Sequence, residues 1–568
     1  MIKQPDTRAI SQEQLVAEVK GIYAGLVMVE SKCIEVVNNQ TSVGDGAAKL
    51  NKDQWHALIA LHRTLLHEHH DFFLASQHPS ASPALRRLAA KYAMPARMWR
   101  HGIHSFLELL RHNLPGSYEH MITFIYMAYS MMALLLETVP AFEETWIECL
   151  GDLGRYRMAI EDEDIRDREH WASVSRHWYS LASDKSPTTG RLYHHLGILA
   201  RPNAVLQLFY YTKSLCVEIP FASARESIMT LFDPIMSLTP NPQQSRLSVV
   251  ELYFVKAHAI LFSRKHMEQL LAVIDVFLQN LDGHIARLSR RFIEASYQIA
   301  LANICALCGY GDEANPLVRA IMAHSRPSLP PSTPPGTAAS DSTKPGPPAS
   351  ELHPEAIRLF TGTCEVIFRR FADSNILPFL HVTLVFMYHL ISCPDGIALL
   401  APHFPWKLIA TMLNTLISGA PAASSTQPGM SHGPGLVKVV EMEGFPGSLH
   451  AAKGSEAEQK GPGSGTHKKR PLPDDYAMRG FPWVEGTLPK DWFDTDERID
   501  DDDKFFELPS MIEERRERVI WVGGRIVAVG RGKWLQFDKT TGRFGVSAEY
   551  DVDWEISQAP ATPVESAE

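Results

Sequence analysis

The feature that most limits the fold is a long run of apolar residues with helical periodicity between Met98 and Phe232. Segments of helical length follow one another there, separated by short breaks that contain Pro, Gly, Asn or Ser. Apolar residues spaced three and four apart form one face of an α-helix, and such faces bury themselves against neighbouring helices. The run therefore predicts an α-helical array whose helix–turn–helix pairs resemble tetratricopeptide packing.

The same periodicity predicts helices on both sides of this run, over 11–36, 53–74, 247–262, 266–281, 285–308, 357–371 and 378–391. Two stretches, 325–352 and 419–473, are too rich in Pro, Gly and Ser to bury much apolar surface, and we expect disordered linkers there. The fold class predicted is all-α. The expected parts are N-terminal helices (1–97), the array (98–235), a helical-hairpin domain (236–324 and 353–418), a C-terminal segment that docks on it (474–535) and a disordered tail (547–568).

Charge and cysteine content narrow the function classes. The formal net charge of -10 argues against indiscriminate binding to nucleic-acid phosphates, which requires a net basic footprint, although a local basic face is compatible with it. The 7 cysteines are an odd number without a repeated spacing, so they make a poor disulfide framework and favour a reducing compartment. The N-terminal residues lack the apolar core of a secretory signal, which also predicts an intracellular protein.

The most membrane-like stretch is 121–136. It is shorter than the ~20 residues that a helix needs to cross a bilayer, and it contains Thr123 and Ser130. We therefore expect a central helix buried on nearly all sides, and no membrane partner.

The segment TWIECLGDLGRYRMAI carries the strongest candidate site. On a helix, Asp152, Arg155 and Tyr156 are spaced i, i+3 and i+4, which brings them to roughly one face. Arg155 can offer its guanidinium fork to a phosphate, and Tyr156 can donate its hydroxyl proton to the same group. From the spacing alone, an Arg–Asp surface pair is the more common interpretation.

Residues around this segment resemble a known family. LGDLGRYR is similar to the GDxxRY element of 14-3-3 proteins and to the corresponding segment of the EST/SMG proteins. The downstream stretches WYSLASDKSPTTGRLYHHLGILA and FYYTKSLCVEIPFASARESI resemble that family in order and spacing, as does the late segment from MRGFPW to RRERVIWVGGRIVA. The chain is therefore identified from its sequence as resembling the EST/SMG family, without the PIN nuclease domain that some relatives carry.

This resemblance implies a 14-3-3-like domain that recognises a phosphorylated Ser/Thr segment of a protein partner. It implies a non-catalytic adaptor in the cytoplasm and nucleus, with a helicase or another factor of nonsense-mediated mRNA decay as the partner. The alternative that the same resemblance implies is a telomerase- or telomere-associated factor that binds RNA or single-stranded DNA.

The resemblance also suggests which residues assist Arg155 and Tyr156. Where 14-3-3-like domains supply a lysine to the phosphate, the local pattern MWRHGIHSF has His104, and Arg100, one turn earlier, is the alternative residue for this role. A neutral histidine contributes less to phosphate binding than a lysine does. The region from Arg86 to His112 is basic and contains a single acidic residue, Glu108. It is either a phosphate-attracting groove wall or an ordinary solvated helix face. Its cations are Arg86, Arg87, Lys91, Arg97, Arg100 and Arg111.

Three other clusters invite catalytic or metal interpretations. The group His62, His67, His69, His70 and Asp71 lacks the HExxH spacing, and adjacent histidines point to different sides of a helix, so a metal site is not expected. The pair Cys305 and Cys308 has no second pair and is expected to be a set of core thiols. Consecutive aspartates in DTDERIDDDDK (494–504) fan outward. We therefore expect no enzyme activity, no metal and no cofactor.

Overall fold

A computed structural model describes residues 10–42, 50–237, 246–325, 352–418, 433–446, 470–484, 486–494 and 504–552. The described residues are mostly α-helical, and two short strands make up their β-structure, which confirms the predicted all-α class. The chain divides into two units, Met1–Ser186 and Pro187–Glu568. This boundary falls inside the 98–235 range expected from the sequence.

Unit 1 is built from long helices joined by a stretch of short helical turns. Its α-helices are α1 (Gln12–Ser42), α2 (Lys52–Ser76), α3 (Pro83–Arg86), α4 (Leu88–Lys91), α5 (Met94–Arg97), α6 (Ser105–His112), α7 (Tyr118–Thr138), α8 (Glu143–Ala159) and α9 (Ile165–Lys185). A π-helical segment, Met98–His104, connects α5 to α6, and a 3-10 turn, Pro140–Phe142, precedes α8.

Unit 2 continues the helical pattern and ends in a β-hairpin. Its α-helices are α10 (Gly190–Leu199), α11 (Ala204–Cys216), α12 (Ala224–Ser227), α13 (Met229–Met236), α14 (Val249–Ser263), α15 (Leu270–Leu288), α16 (Phe292–Leu307), α17 (Pro316–Ser325), α18 (Pro354–Phe368), α19 (Leu377–Ile391), α20 (Pro394–Leu400), α21 (Trp406–Ser418), α22 (Gly433–Val440), α23 (Pro473–Met478) and α24 (Pro509–Gly530). The antiparallel strands are β1 (Leu535–Asp538) and β2 (Arg543–Val546), and Phe537 lies opposite Phe544.

Local chemistry explains where several helices begin. Asn51 caps α2 by accepting a hydrogen bond from the Gln54 backbone N–H, and the Gln54 side chain accepts one from the Asn51 N–H. Ser248 and Glu251 form the same reciprocal arrangement before α14. Such pairs satisfy backbone donors that the first helical turn leaves open.

The predicted helices are present, but their limits differ in one instructive place. The expected helix 285–308 is divided, because α15 continues to Leu288 and α16 begins only at Phe292. Ser289, between them, has a φ of 49°, a left-handed conformation that interrupts a right-handed helix. Apolar residues keep their helical spacing on both sides of the break, so the sequence does not indicate this change of direction.

The prediction of disorder throughout 419–473 was wrong for residues 470–473, where Leu472 and Pro473 are buried, and for residues 433–446. There α22 packs against α24 with Val440 buried, and Phe445 is buried just beyond it. The contact depends on Gly524, because a Cβ at that position would lie 2.2 Å from the carbonyl oxygen of Val440. Likewise, residues 547–552 of the expected tail are described and contain a 3-10 turn. The linker residues 326–351, 419–432 and 447–469 and the tail residues 553–568 lie outside the described residues.

The predictions that the membrane-like stretch is too short to span a bilayer and buried on nearly all sides were also wrong. Helix α7 has 21 residues, and by length and composition it and Ser374–Ile391 are the two described helices apolar enough to cross a membrane. Only 39% of the apolar window of α7 is buried. Its exposed face carries Thr123, Tyr126, Ser130 and Leu134, at the three- and four-residue spacing of one helix side.

Candidate phosphate-binding site

Two glycines of the LGDLG sequence set the distance between α8 and α9. A Cβ at Gly151 would lie 2.9 Å from the Tyr179 ring, and one at Gly154 would lie 3.2 Å from Cβ of Ser175. The Ser175 hydroxyl donates a hydrogen bond of 2.8 Å to the Gly151 carbonyl oxygen. Glycine is unfavourable in a helix interior, so the close approach of α8 and α9 that it permits explains its presence here.

This close approach brings Tyr179 of α9 into the site on α8. Arg155 donates from Nη2 to Asp152 Oδ1 at 2.8 Å and from Nε to the Tyr179 hydroxyl at 3.2 Å. Tyr179 in turn donates to the same Asp152 oxygen at 2.6 Å. Burial lowers the pKa of Arg155, but the charges of Tyr179 and Asp152 outweigh that effect and raise it. The arginine is therefore a fixed cation, with its side chain 28% exposed.

Tyr156 is held by a partner from another helix. Its hydroxyl donates a hydrogen bond of 2.7 Å to Glu108 Oε1 on α6. Burial raises the pKa of Tyr156, and the hydrogen bond to Glu108 raises it further. The Arg155 guanidinium lies 5.5 Å from the centre of the Tyr156 ring, so the two side chains predicted to act together are in contact.

The π-helical segment before α6 supplies the two assisting residues expected from the sequence. His104 is exposed, and its ring centre is 6.4 Å from that of Tyr156. Arg100 is also exposed, and it forms no ion pair with any residue in the described ranges. Single π-helical turns inside helices frequently occur at functional sites. The structure thus brings His104 to Tyr156 and leaves Arg100, on the same segment, without an ion pair among the described residues.

The wider basic region is more neutralised than its sequence indicates. Arg97 forms a bidentate ion pair with Glu30 of α1, and Arg111 pairs with Glu108 at 2.7 Å. The expectation that Glu108 is the only carboxylate available to pair with these cations was therefore wrong, because Glu30 pairs with Arg97. Residues that sequence reasoning missed are Glu30, Tyr179 and the role of Glu108 as the hydrogen-bond partner of Tyr156, all of which depend on helix packing.

The clusters that invited metal interpretations have ordinary structural roles. His62 is buried, stacks on Phe106 at 4.3 Å and lies with Nδ1 2.9 Å from the Gly102 carbonyl oxygen. His69 is buried beside the Leu65 carbonyl oxygen at 2.9 Å. Within the described ranges, no group of three or more His, Cys, Asp or Glu side chains has the arrangement of a metal site. Cys305 and Cys308 are buried free thiols, and residues 495–503 of the acidic run lie outside the described residues.

Comparisons with known proteins show which sequences this chain is similar to. Residues 175–310 match the family described as the Est1 DNA/RNA binding domain. EST/SMG-like protein 2 of Saccharomyces cerevisiae is 22% identical over 242 residues, which is 41% of this chain and 19% of that protein. The nonsense-mediated mRNA decay factor SMG7 of Arabidopsis thaliana is 34% identical over 86 residues, 15% of this chain and 8% of that protein.

A third relative carries a different functional name. The telomerase-binding protein EST1A of Danio rerio is 33% identical over 87 residues, 15% of this chain and 5% of that protein. The matched stretches span at most 19% of the length of these three relatives. On the domain match and these relatives together, the chain is similar to proteins of the EST/SMG family.

Proposed function

We propose that this protein is an adaptor that binds a phosphorylated Ser/Thr segment of a partner protein through Arg155, Tyr156, Arg100 and His104. The observation that carries the proposal is the Arg155 side chain, which Asp152 and Tyr179 hold in place while 28% of it stays exposed. A fixed guanidinium makes charge-assisted hydrogen bonds to phosphate without first losing its freedom of movement. Arg100 and His104 are both exposed on the π-helical segment whose His104 ring lies 6.4 Å from that of Tyr156, and they offer a guanidinium and a ring nitrogen to the same ligand.

The partner that fits best is a phosphorylated helicase or other factor of nonsense-mediated mRNA decay. This choice is supported by the similarity to a plant protein named as a factor of that process. The adaptor acts without catalysis in the cytoplasm and nucleus, and its contribution is to bring a phosphorylated partner to an assembly.

The test is a calorimetric titration of the full chain with a peptide that contains phosphoserine followed by glutamine, against the unphosphorylated peptide. Arg100→Glu is the informative variant, because Arg100 is exposed and has no ion pair within the described ranges, so the fold does not depend on it. We expect phosphate-dependent binding that Arg100→Glu weakens and Arg155→Ala abolishes. Circular dichroism provides the folding control. Equal affinity for both peptides contradicts the proposal.

Arg155→Glu is a poor choice for the same purpose. It would place a carboxylate against Asp152, whose side chain is only 15% exposed, and the helix packing would suffer together with the binding. Arg155→Ala leaves Asp152 with the hydrogen bond that Tyr179 donates at 2.6 Å.

A second candidate function is binding of RNA or single-stranded DNA in a telomere-associated role. The match of 175–310 to a DNA/RNA binding domain and the similarity to a telomerase-binding protein favour it. Titration of the same protein with single-stranded oligonucleotides at two salt concentrations separates the two functions, because phosphate-backbone binding weakens steeply with salt. Oligonucleotide binding that survives Arg100→Glu and Arg155→Ala would support this candidate.

A further inference from the structure

The candidate site already contains two carboxylates at the groups that would bind a phosphate. The single hydroxyl donor of Tyr156 is used by Glu108 at 2.7 Å, and Nη2 of Arg155 is used by Asp152 at 2.8 Å. A tyrosine has one O–H donor, so a ligand that takes it must replace Glu108. Binding at this site is therefore an exchange of one anion for another.

Glu108 and Asp152 differ in how easily they can be replaced. Asp152 is fixed within α8 and also accepts from Tyr179, and its side chain is 15% exposed. Glu108 is 26% exposed, and its second oxygen accepts a hydrogen bond of 2.7 Å from Arg111, whose side chain is 54% exposed. Glu108 can therefore leave Tyr156 and keep a cationic partner one turn away on its own helix.

We propose that Glu108 determines specificity at this site, so that it accepts phosphate and rejects the carboxylates of Asp and Glu residues. This inference rests on the proposed function. A ligand carboxylate that displaces Glu108 restores only the hydrogen bond that was lost, and it places a second single charge beside the first. A phosphate carries a charge of about -1.5 to -2 and three acceptor oxygens, so it accepts from Tyr156, Arg155 and an exposed cation together.

The consequence concerns the kind of partner that the site selects. Acidic segments and phosphomimetic substitutions do not occupy it, and only a phosphorylated residue offsets the repulsion from Glu108. Arg111 assists by holding Glu108 away from the bound phosphate. Its removal leaves the Glu108 charge unpaired beside the ligand.

The test compares three peptides that are identical except for phosphoserine, serine or glutamate at one position. With the full-length wild-type chain, we expect the glutamate peptide to bind no more tightly than the serine peptide. Glu108→Gln keeps an acceptor for Tyr156 and removes the charge. We expect it to tighten phosphopeptide binding about fivefold to tenfold, in keeping with a partly screened like-charge contact, and to give measurable binding of the glutamate peptide.

Two further variants complete the experiment. Glu137→Gln, the same change at an exposed residue of α7, should leave all three affinities unchanged. Arg111→Ala should weaken phosphopeptide binding. If wild type binds the phosphopeptide and Glu108→Gln binds all three peptides with the wild-type affinities, this inference is wrong and the proposed function stands. If neither wild type nor Glu108→Gln binds the phosphopeptide, the proposed function itself fails.

Discussion

Gly151 of α8 lies directly against the ring of Tyr179 of α9: a Cβ at Gly151 would be 2.9 Å from Cε1, 3.0 Å from Cδ1 and 3.1 Å from Cζ. The ring carries the hydroxyl that positions both Arg155 and Asp152. A packing contact and the geometry of the candidate site therefore depend on the same pair of residues.

Gly151→Ala should destabilise unit 1 and weaken phosphopeptide binding together. The new methyl group overlaps a buried ring, and overpacking of this kind costs about 1–3 kcal/mol. Displacement of Tyr179 also removes a hydrogen bond from Arg155. The free energy of unfolding in urea and the peptide affinity by calorimetry measure the two effects.

The matched control is Gly21→Ala in α1, where an added Cβ meets nothing within 4 Å. In a helix interior, alanine is more stable than glycine by about 0.5–1 kcal/mol. Gly21→Ala should therefore be slightly more stable than the wild-type chain and bind the phosphopeptide with the same affinity. If Gly151→Ala is as stable as Gly21→Ala, the close contact between α8 and Tyr179 is not present.

His62 should make the stability of unit 1 depend on pH. Burial lowers the pKa of His62 to about 4, whereas an unfolded histidine titrates near 6.5. The unfolded state then binds more protons between these values, so the stabilising contribution is complete above pH ~6.5 and is lost as pH falls towards about 4. The pKa of His69 is also lowered to about 4, mainly by burial.

The measurement is the urea unfolding free energy at about pH 7 and about pH 5, where each such histidine contributes a difference of about 2 kcal/mol. His62→Gln should reduce the difference in unfolding free energy between the two pH values by about 2 kcal/mol, whatever its effect on stability at neutral pH. His67→Gln, at an exposed position of the same helix, should leave the dependence unchanged. An equal pH dependence in all three proteins would contradict the effect assigned to His62.

Periodicity predicts the helices here because most of them bury one continuous face, and a spacing of three and four residues records that face directly. It does not record how helices cross. The hydrogen bond between Tyr156 and Glu108 joins residues 48 apart, and that between Tyr179 and Asp152 joins residues 27 apart. Arg155 and Tyr156 were found because they are neighbours in one motif, whereas their partners come from other helices.

Helix α22 was missed for a different reason. Its apolar residues, from Leu436 to Val440, are few and lie within a stretch rich in Gly, Pro and Ser. Such a segment is too short to be stable as an isolated helix, and it is ordered by packing on α24. The sequence shows the Gly523–Gly524 pair of α24, but it does not show which segment of the chain packs against these glycines.

Trypsin should distinguish α22 from the sequence that surrounds it. Composition predicts early cleavage after Lys453 and Lys460, because Pro-, Gly- and Ser-rich sequence buries little apolar surface. Lys438 lies on α22 and should be cut later. Gly524→Ala should make Lys438 as susceptible as Lys453, because the added Cβ would lie 2.2 Å from the Val440 carbonyl oxygen. Early cleavage after Lys438 in the wild-type chain would show that α22 is not docked.

The last prediction concerns the buried ion pairs that anchor the segment around α23 within unit 2. Arg518 of α24 donates from Nη1 to Asp475 Oδ1 at 2.6 Å, and its guanidinium lies 4.8 Å from the ring centres of both Phe445 and Trp492. The Arg518 side chain is 3% exposed and that of Asp475 is 0% exposed. Removal of one member of such a pair leaves a buried charge without compensation, at a cost of about 3–5 kcal/mol.

Arg518→Met should therefore lower the free energy of unfolding by that amount, and it should release the segment around α23 to protease. The matched control is Arg358→Met, which breaks an ion pair with Asp275 whose side chains are 51% and 43% exposed. Exposed pairs contribute about 0–1 kcal/mol, so this change should have little effect. Urea unfolding of both variants gives the comparison. Methionine fills much of the arginine volume, so a larger loss of unfolding free energy in Arg518→Met than in Arg358→Met reports the unpaired Asp475 carboxylate. Equal losses in the two variants would mean that the Arg518–Asp475 pair contributes no more than a surface ion pair.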